Sequence, residues 1–146
     1  MLSKLLVAWC LMALCVVIHA VGLTLALRAL GGRPAVKGAW ASICLCTTVA
    51  GSIMLLHMIE IAAWAVFYVW RQALPDLQSS LYFSAVTYTT TGYGDVVLPK
   101  GWQLLGAVEA LTGILMSGLS TGFFFAVVSR MFAVGGRRLD AQGIED

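Results

Sequence analysis

The residues whose types and spacing could do chemistry are Thr89-Thr90-Thr91-Gly92-Tyr93-Gly94-Asp95. A cation leaves water only if fixed oxygens replace its hydration shell, and a line of backbone carbonyls can supply them. Aiming successive carbonyls to one side needs dihedrals that residues with a Cβ resist. Gly92 and Gly94 supply positions where φ > 0 is cheap. The Thr90 hydroxyl can add one further oxygen at the inner end. A Gly-rich hairpin turn is the competing reading, but the flanking apolar segments are too long for strands.

The elements that must position this stretch follow from composition. The chain has 146 residues, of which 60% are hydrophobic and 11% charged. Soluble domains are nearer 45–50% apolar and about 25% charged. The chain reads as an all-α integral membrane protein. Its net charge of +2 and scattered cations point away from a nucleic-acid partner. Cys10, Cys15, Cys44 and Cys46 sit inside apolar runs, at spacings that put neither pair on one helix face, and read as packing residues.

Leu5 to Leu27 meets the ~20-residue requirement for a membrane-crossing helix, interrupted only by His19 and Thr24. A cleaved signal peptide competes, but the apolar run is long for a signal's core. Residues 28–38, with Gly31-Gly32, Pro34, Arg28, Arg33 and Lys37, read as a polar loop. Ala39 to Trp70 forms a second helix, which exceeds the ~30 Å hydrocarbon core and so must tilt, bend or project. Trp64, Phe67, Tyr68 and Trp70 gather at its end, and Pro75 closes it. Asp76 is placed to cap a short helix over Leu77 to Tyr88, too short to span a membrane. The negative end of its dipole would favour a cation where the glycine-rich stretch begins. Trp102 to Phe132 is the last membrane helix, and Arg130, Arg137 and Arg138 mark its exit.

From about Ser42 to Phe132 these segments resemble the outer helix, pore helix, filter and inner helix of bacterial two-helix potassium-channel pores, whose filter signature is Thr-x-Gly-Tyr-Gly-Asp. The first helix lies outside the resemblance. It implies K+ coordination by the carbonyls of Thr90, Thr91, Gly92 and Tyr93, with Gly94 completing the outer mouth. Asp95 would be a filter support. Tyr93 would point back and brace the loop against Tyr82 and Phe83. Gly113 would fit the inner-helix hinge and Gly118 a second flexible point. A homotetramer in membrane lipid is implied, passing K+ passively, with no cofactor and no enzymatic reaction. Two departures stand out: the filter's second position, often Val or Ile, is Thr91, and Val86 replaces the acid that in some relatives braces the filter's Asp. A nonselective cation channel and a nonconducting regulatory subunit are the alternatives.

The cations set an expected topology. The positive-inside rule places the 28–38 loop and the residues after Phe132 in the cytoplasm, with the N-terminus outside the plasma (inner) membrane. Residues 1–38 then form a first helix and loop, 39–133 the pore domain and 134–146 a short tail. Three ionisable residues fall inside predicted helices, where they are costly in lipid: His57, Glu60 and Glu109. His57 and Glu60 share a helix face and read as a polar contact between helices, with a proton sensor as the alternative. Glu109 is expected behind the filter, against Thr87, Thr89 or Thr91. An intramembrane enzyme is disfavoured: His19 and His57 are the only imidazoles, and no acid neighbours His19 in the sequence. No helix carries the repeated Arg or Lys of a voltage sensor.

Overall fold

A computed structural model describes residues 2–31 and 38–142. Arg33, Pro34 and Lys37 of the expected loop lie outside the described residues, as do the side chains of Arg137 and Arg138. Among the described residues there are four helices, in the order α1 (Leu2–Gly31), α2 (Ala39–Trp70), α3 (Leu77–Tyr88) and α4 (Gln103–Gln142). Three of them are long and apolar enough to cross a bilayer, over Leu2–Leu30, Ala39–Trp70 and Gln103–Met131. The chain is an all-α, multi-pass membrane protein. Leu6, Trp9, Met54, Leu55, Leu111 and Phe125 face outward, as side chains in contact with lipid do.

The bounds of α2 and α3 agree with the sequence, and those of the outer helices differ. The α1 helix extends past both ends of the Leu5–Leu27 run. The α4 helix continues ten residues beyond Phe132, running through Gly135-Gly136 with no proline to interrupt its backbone hydrogen bonding. At its end the α2 helix stops abruptly: Gln72 takes φ 52°, a left-handed conformation that ends helical hydrogen bonding. Asp76 then starts α3, its Oδ1 accepting from the Ser79 backbone N–H at 2.7 Å. That bond holds the Asp76 carboxyl below its ordinary range.

The α3 half-helix lies between α2 and α4, and α1 packs on the outer side against both. The core beneath α3 is aromatic. Tyr68 and Phe83 meet edge to face at 5.4 Å between centroids, and Phe67 meets Trp102 at 6.0 Å. Such pairs add about 0.5–1.5 kcal/mol beyond the area they bury. Lys4 Nζ, at the start of α1, donates to Gly101 O at 2.7 Å and sits 4.1 Å above the Trp102 ring. The Arg71 guanidinium lies 5.6 Å from the same ring. The beginning of α1, the end of α2 and the beginning of α4 therefore share one end of the bundle.

Candidate functional site

The glycine-rich stretch leaves the C-terminal end of α3 through a turn in which Thr90 N–H donates to Thr87 O at 2.9 Å and Gly92 N–H to Val86 O at 3.0 Å. Its backbone alternates in handedness. Thr90, Gly92 and Gly94 take φ 59°, 52° and 79°, while Thr91 and Tyr93 stay negative. Strict alternation is what turns successive carbonyls of a strand-like segment toward one side. The sequence identifies the two glycines as positive-φ positions but not Thr90. A β-branched residue rarely accepts that conformation, and holding it there costs about 1–3 kcal/mol. Strain of this kind persists only where the surroundings fix the backbone, here the α3 turn.

Two side-chain contacts support the loop. The Thr91 hydroxyl, which a Val or Ile at this position would lack, lies 3.0 Å from Thr89 Oγ1. Thr89 in turn bonds Ala85 O at 2.7 Å, tying the pair to the last turn of α3. At the other end Tyr82 Oη donates to Asp95 Oδ2 at 2.6 Å. Tyr82 thus engages Asp95 rather than Tyr93. Tyr93 is 72% exposed, and Phe83 packs on Tyr68 instead. Within one chain, no aromatic contact joins Tyr93 to Tyr82 or Phe83 among the described residues: the Tyr82 hydroxyl is turned to Asp95 and the Phe83 ring to Tyr68.

Glu109 is buried but does not reach Thr87, Thr89 or Thr91. Its Oε2 accepts from Tyr68 Oη at 2.8 Å. Tyr68 rises from α2 into the space behind α3 and takes the carboxylate first. Gly113 meets the end of α3: a Cβ added there would stand 1.9 Å from Tyr88 O. The position therefore permits a backbone-to-backbone approach, whatever bending it also allows. Nothing lies within 4 Å of the corresponding point at Gly118.

Behind Tyr88 the helices converge on a buried polar cluster larger than the His57–Glu60 pair. His19 Nδ1 of α1 lies 2.9 Å from Glu60 Oε1, and His57 Nδ1 lies 3.5 Å from Glu60 Oε2. Tyr88 Oη donates to Glu60 Oε2 and lies 3.0 Å from His57 Nδ1. Ser120 Oγ of α4 lies 3.0 Å from His19 Nε2 and 3.1 Å from His57 Nε2. Glu60 is thus the acid beside His19 that linear sequence separation hides. The polar interruptions of α1 and α4, His19 and Ser120, were the signal that could have found the contact.

Residues 54–130 match the family described as ion channel, a span running from the middle of α2 to near the apolar end of α4. No curated protein and no solved structure matches the chain. The family match leaves α1 outside and takes in α3, the alternating loop and the helices on either side of them, covering more than half of the sequence. On that match the chain belongs to the ion channel family, and ions cross the membrane through it.

Proposed function

We propose that the protein is the subunit of a potassium-selective channel in which four copies surround one pore. The observation that carries this reading is the alternation of φ at Thr90, Gly92 and Gly94 within Thr-Thr-Gly-Tyr-Gly-Asp. Four such segments around an axis would present stacked rings of carbonyls at the positions of Thr90 to Tyr93, with Gly94 at the mouth, replacing the water around K+. One chain supplies one segment, so closed rotational symmetry is the economical way to complete each ring. The exposure of Tyr93 in the single chain fits a residue whose packing partners come from a neighbouring copy.

The α3 dipole contributes partial negative charge at the inner end of the loop, favouring a cation there. Asp95 and Tyr82 hold the outer end, Thr89 and Thr91 the inner one. Gly113 seats the end of α3 on α4, and bending for gating falls to Gly113 and to the unencumbered Gly118. The cation-rich 28–38 loop and the end of α4 face the cytoplasm of a plasma membrane, with the Asp95 mouth outside. Transport is passive and needs no cofactor.

The test is flux through purified protein in liposomes, with sodium competing and Gly92→Ala as control. Potassium flux at least tenfold above sodium, blocked by barium and abolished by the substitution, is the expected result. Equal sodium and potassium flux would make the protein a nonselective cation channel.

A further inference from the structure

The cluster behind Tyr88 has an imbalance of hydrogens. Its contacts are His19–Glu60, His57–Tyr88, Tyr88–Glu60, Ser120–His19 and Ser120–His57. Each needs one hydrogen to be a hydrogen bond. Two neutral imidazoles, one phenol and one hydroxyl supply one each, and an ionised Glu60 supplies none. The five contacts therefore have four hydrogens, around a net negative charge buried in a membrane protein, where an uncompensated charge is expensive. A cation held among these groups would balance that charge.

The orientation of the rings says which kind. Both Nε2 atoms face the one Ser120 oxygen. A hydroxyl can donate to one ring and accept from the other, or accept from both; in the second arrangement its own hydrogen lies outside these contacts, and two of the five are left without one. With each Nε2 carrying its hydrogen toward Ser120, each Nδ1 presents a lone pair on the side of Glu60. Two imidazole lone pairs and a carboxylate then converge on one region. The three ligating atoms lie within 4.8 Å of one another. A tetrahedral metal with bonds of about 2.0–2.1 Å separates its ligands by roughly 3.3–3.5 Å; His19 Nδ1 lies 2.9 Å from Glu60 Oε1 and His57 Nδ1 3.5 Å from Glu60 Oε2, so seating one ion requires the two rings to draw around a single carboxylate oxygen.

We propose that His19, His57 and Glu60 bind a divalent transition-metal ion of the zinc class, clamping α1 to the pore-forming helices. Two nitrogens and a carboxylate oxygen are the donor set for such ions, not for Ca2+ or Mg2+. Ser120 orients both rings from behind, and Tyr88 donates to Glu60 Oε2, leaving Oε1 for the ion, which is the outer-shell support such ligands use. His57 is 15% exposed and gives the ion a way in, whereas His19 and Glu60 are fully buried. The site gives the added helix a function: α1 supplies a ligand, and through Tyr88 the ion touches the last residue of α3.

The test reads metal rather than flux, so it stands apart from the conduction proposal. Untagged full-length protein is stripped with a chelator, equilibrated with Zn2+ in detergent and analysed for bound metal. About one zinc per chain is expected, with at least a tenfold loss of affinity in His19→Ala and in Glu60→Gln. Ser120→Ala should weaken binding about tenfold without removing it. Co2+ added to the unsubstituted chain should give the visible absorption of a tetrahedral nitrogen–oxygen site, a readout that needs no variant to fold. Zinc stoichiometry near zero, stoichiometry unchanged by His19→Ala, or a cobalt spectrum like that of the free ion would each overturn the proposal. Near-zero zinc would point to a shared fifth proton as the missing cation.

Discussion

Tyr82 Oη donates to Asp95 Oδ2 at 2.6 Å, joining the middle of α3 to the far end of the glycine-rich loop. The sequence shows Val86 where some channels carry an acid for this purpose, and the phenol thirteen residues before Asp95 supplies a contact to it instead. The bond lowers the Asp95 carboxyl below its ordinary range, chiefly by stabilising the carboxylate, and raises the Tyr82 phenol. A depressed carboxyl contributes stability that is present above the ordinary aspartate value near ~3.9 and lost as pH falls through the lower folded-state value. Tyr82→Phe should therefore bring the acid-induced loss of flux to higher pH and shorten the time the loop stays conducting. Single-channel records between pH 3 and 7 would check both, and unchanged records would remove Asp95 anchoring from the account.

Gly113→Ala should be far more damaging than Gly118→Ala. The first places a methyl group 1.9 Å from a backbone carbonyl, whereas the second meets open space. Overpacking of this kind costs about 1–3 kcal/mol and more where backbone must shift. Thermal unfolding in detergent should show a lowered midpoint for the first and a change within about 1 kcal/mol for the second, helped by alanine's helix propensity. Equal midpoints would argue that α3 and α4 are not in contact there.

Tyr68→Phe leaves Glu109 with neither oxygen paired by a side chain, since Tyr68 Oη is the partner of Oε2 and Oε1 has none among the described residues. A buried polar group left unsatisfied costs about 1–3 kcal/mol. Glu109→Gln keeps the shape and an acceptor for Tyr68, so its stability loss should be smaller, with an altered open time. Denaturation of the two variants side by side would separate them, and a larger loss in the glutamine variant would show that the charge matters more than the bond.

Thr91→Val removes the hydroxyl that meets Thr89 but keeps the β-branched side chain. Thr89 retains its bond to Ala85 O. Relative potassium and sodium flux should stay within about twofold of the unsubstituted protein, because the loop's oxygens come from the backbone. A selectivity change of tenfold or more would give the Thr89–Thr91 contact a direct part in filter geometry.

What could be read in the sequence is local. Asp76, Pro75 and the length of Leu77–Tyr88 define α3 because caps, breakers and periodicity act over a few residues. Apolar runs long enough to span a bilayer define the other helices in the same way. Thr90 shows the limit: its type argues against positive φ, and only the turn to Thr87 and Val86 imposes it. Glu109 and His19 show a second limit. Each finds its partner across helices, Tyr68 and Glu60, forty-one residues away in both cases. Helix faces can be derived from spacing, but which faces meet depends on the whole bundle.

The clasp of Lys4 on Gly101 has a practical side. The start of the chain and the turn just after Asp95 are held together, though ninety-seven residues separate them in sequence. A fluorophore placed at Leu2 or Ser3 would therefore sit beside the mouth of the loop. Paired with a second label near Val97, it becomes a ruler for movement of that rim. A bulky fusion at the same place would act as an obstruction, so reporters intended to leave the protein undisturbed belong at another position.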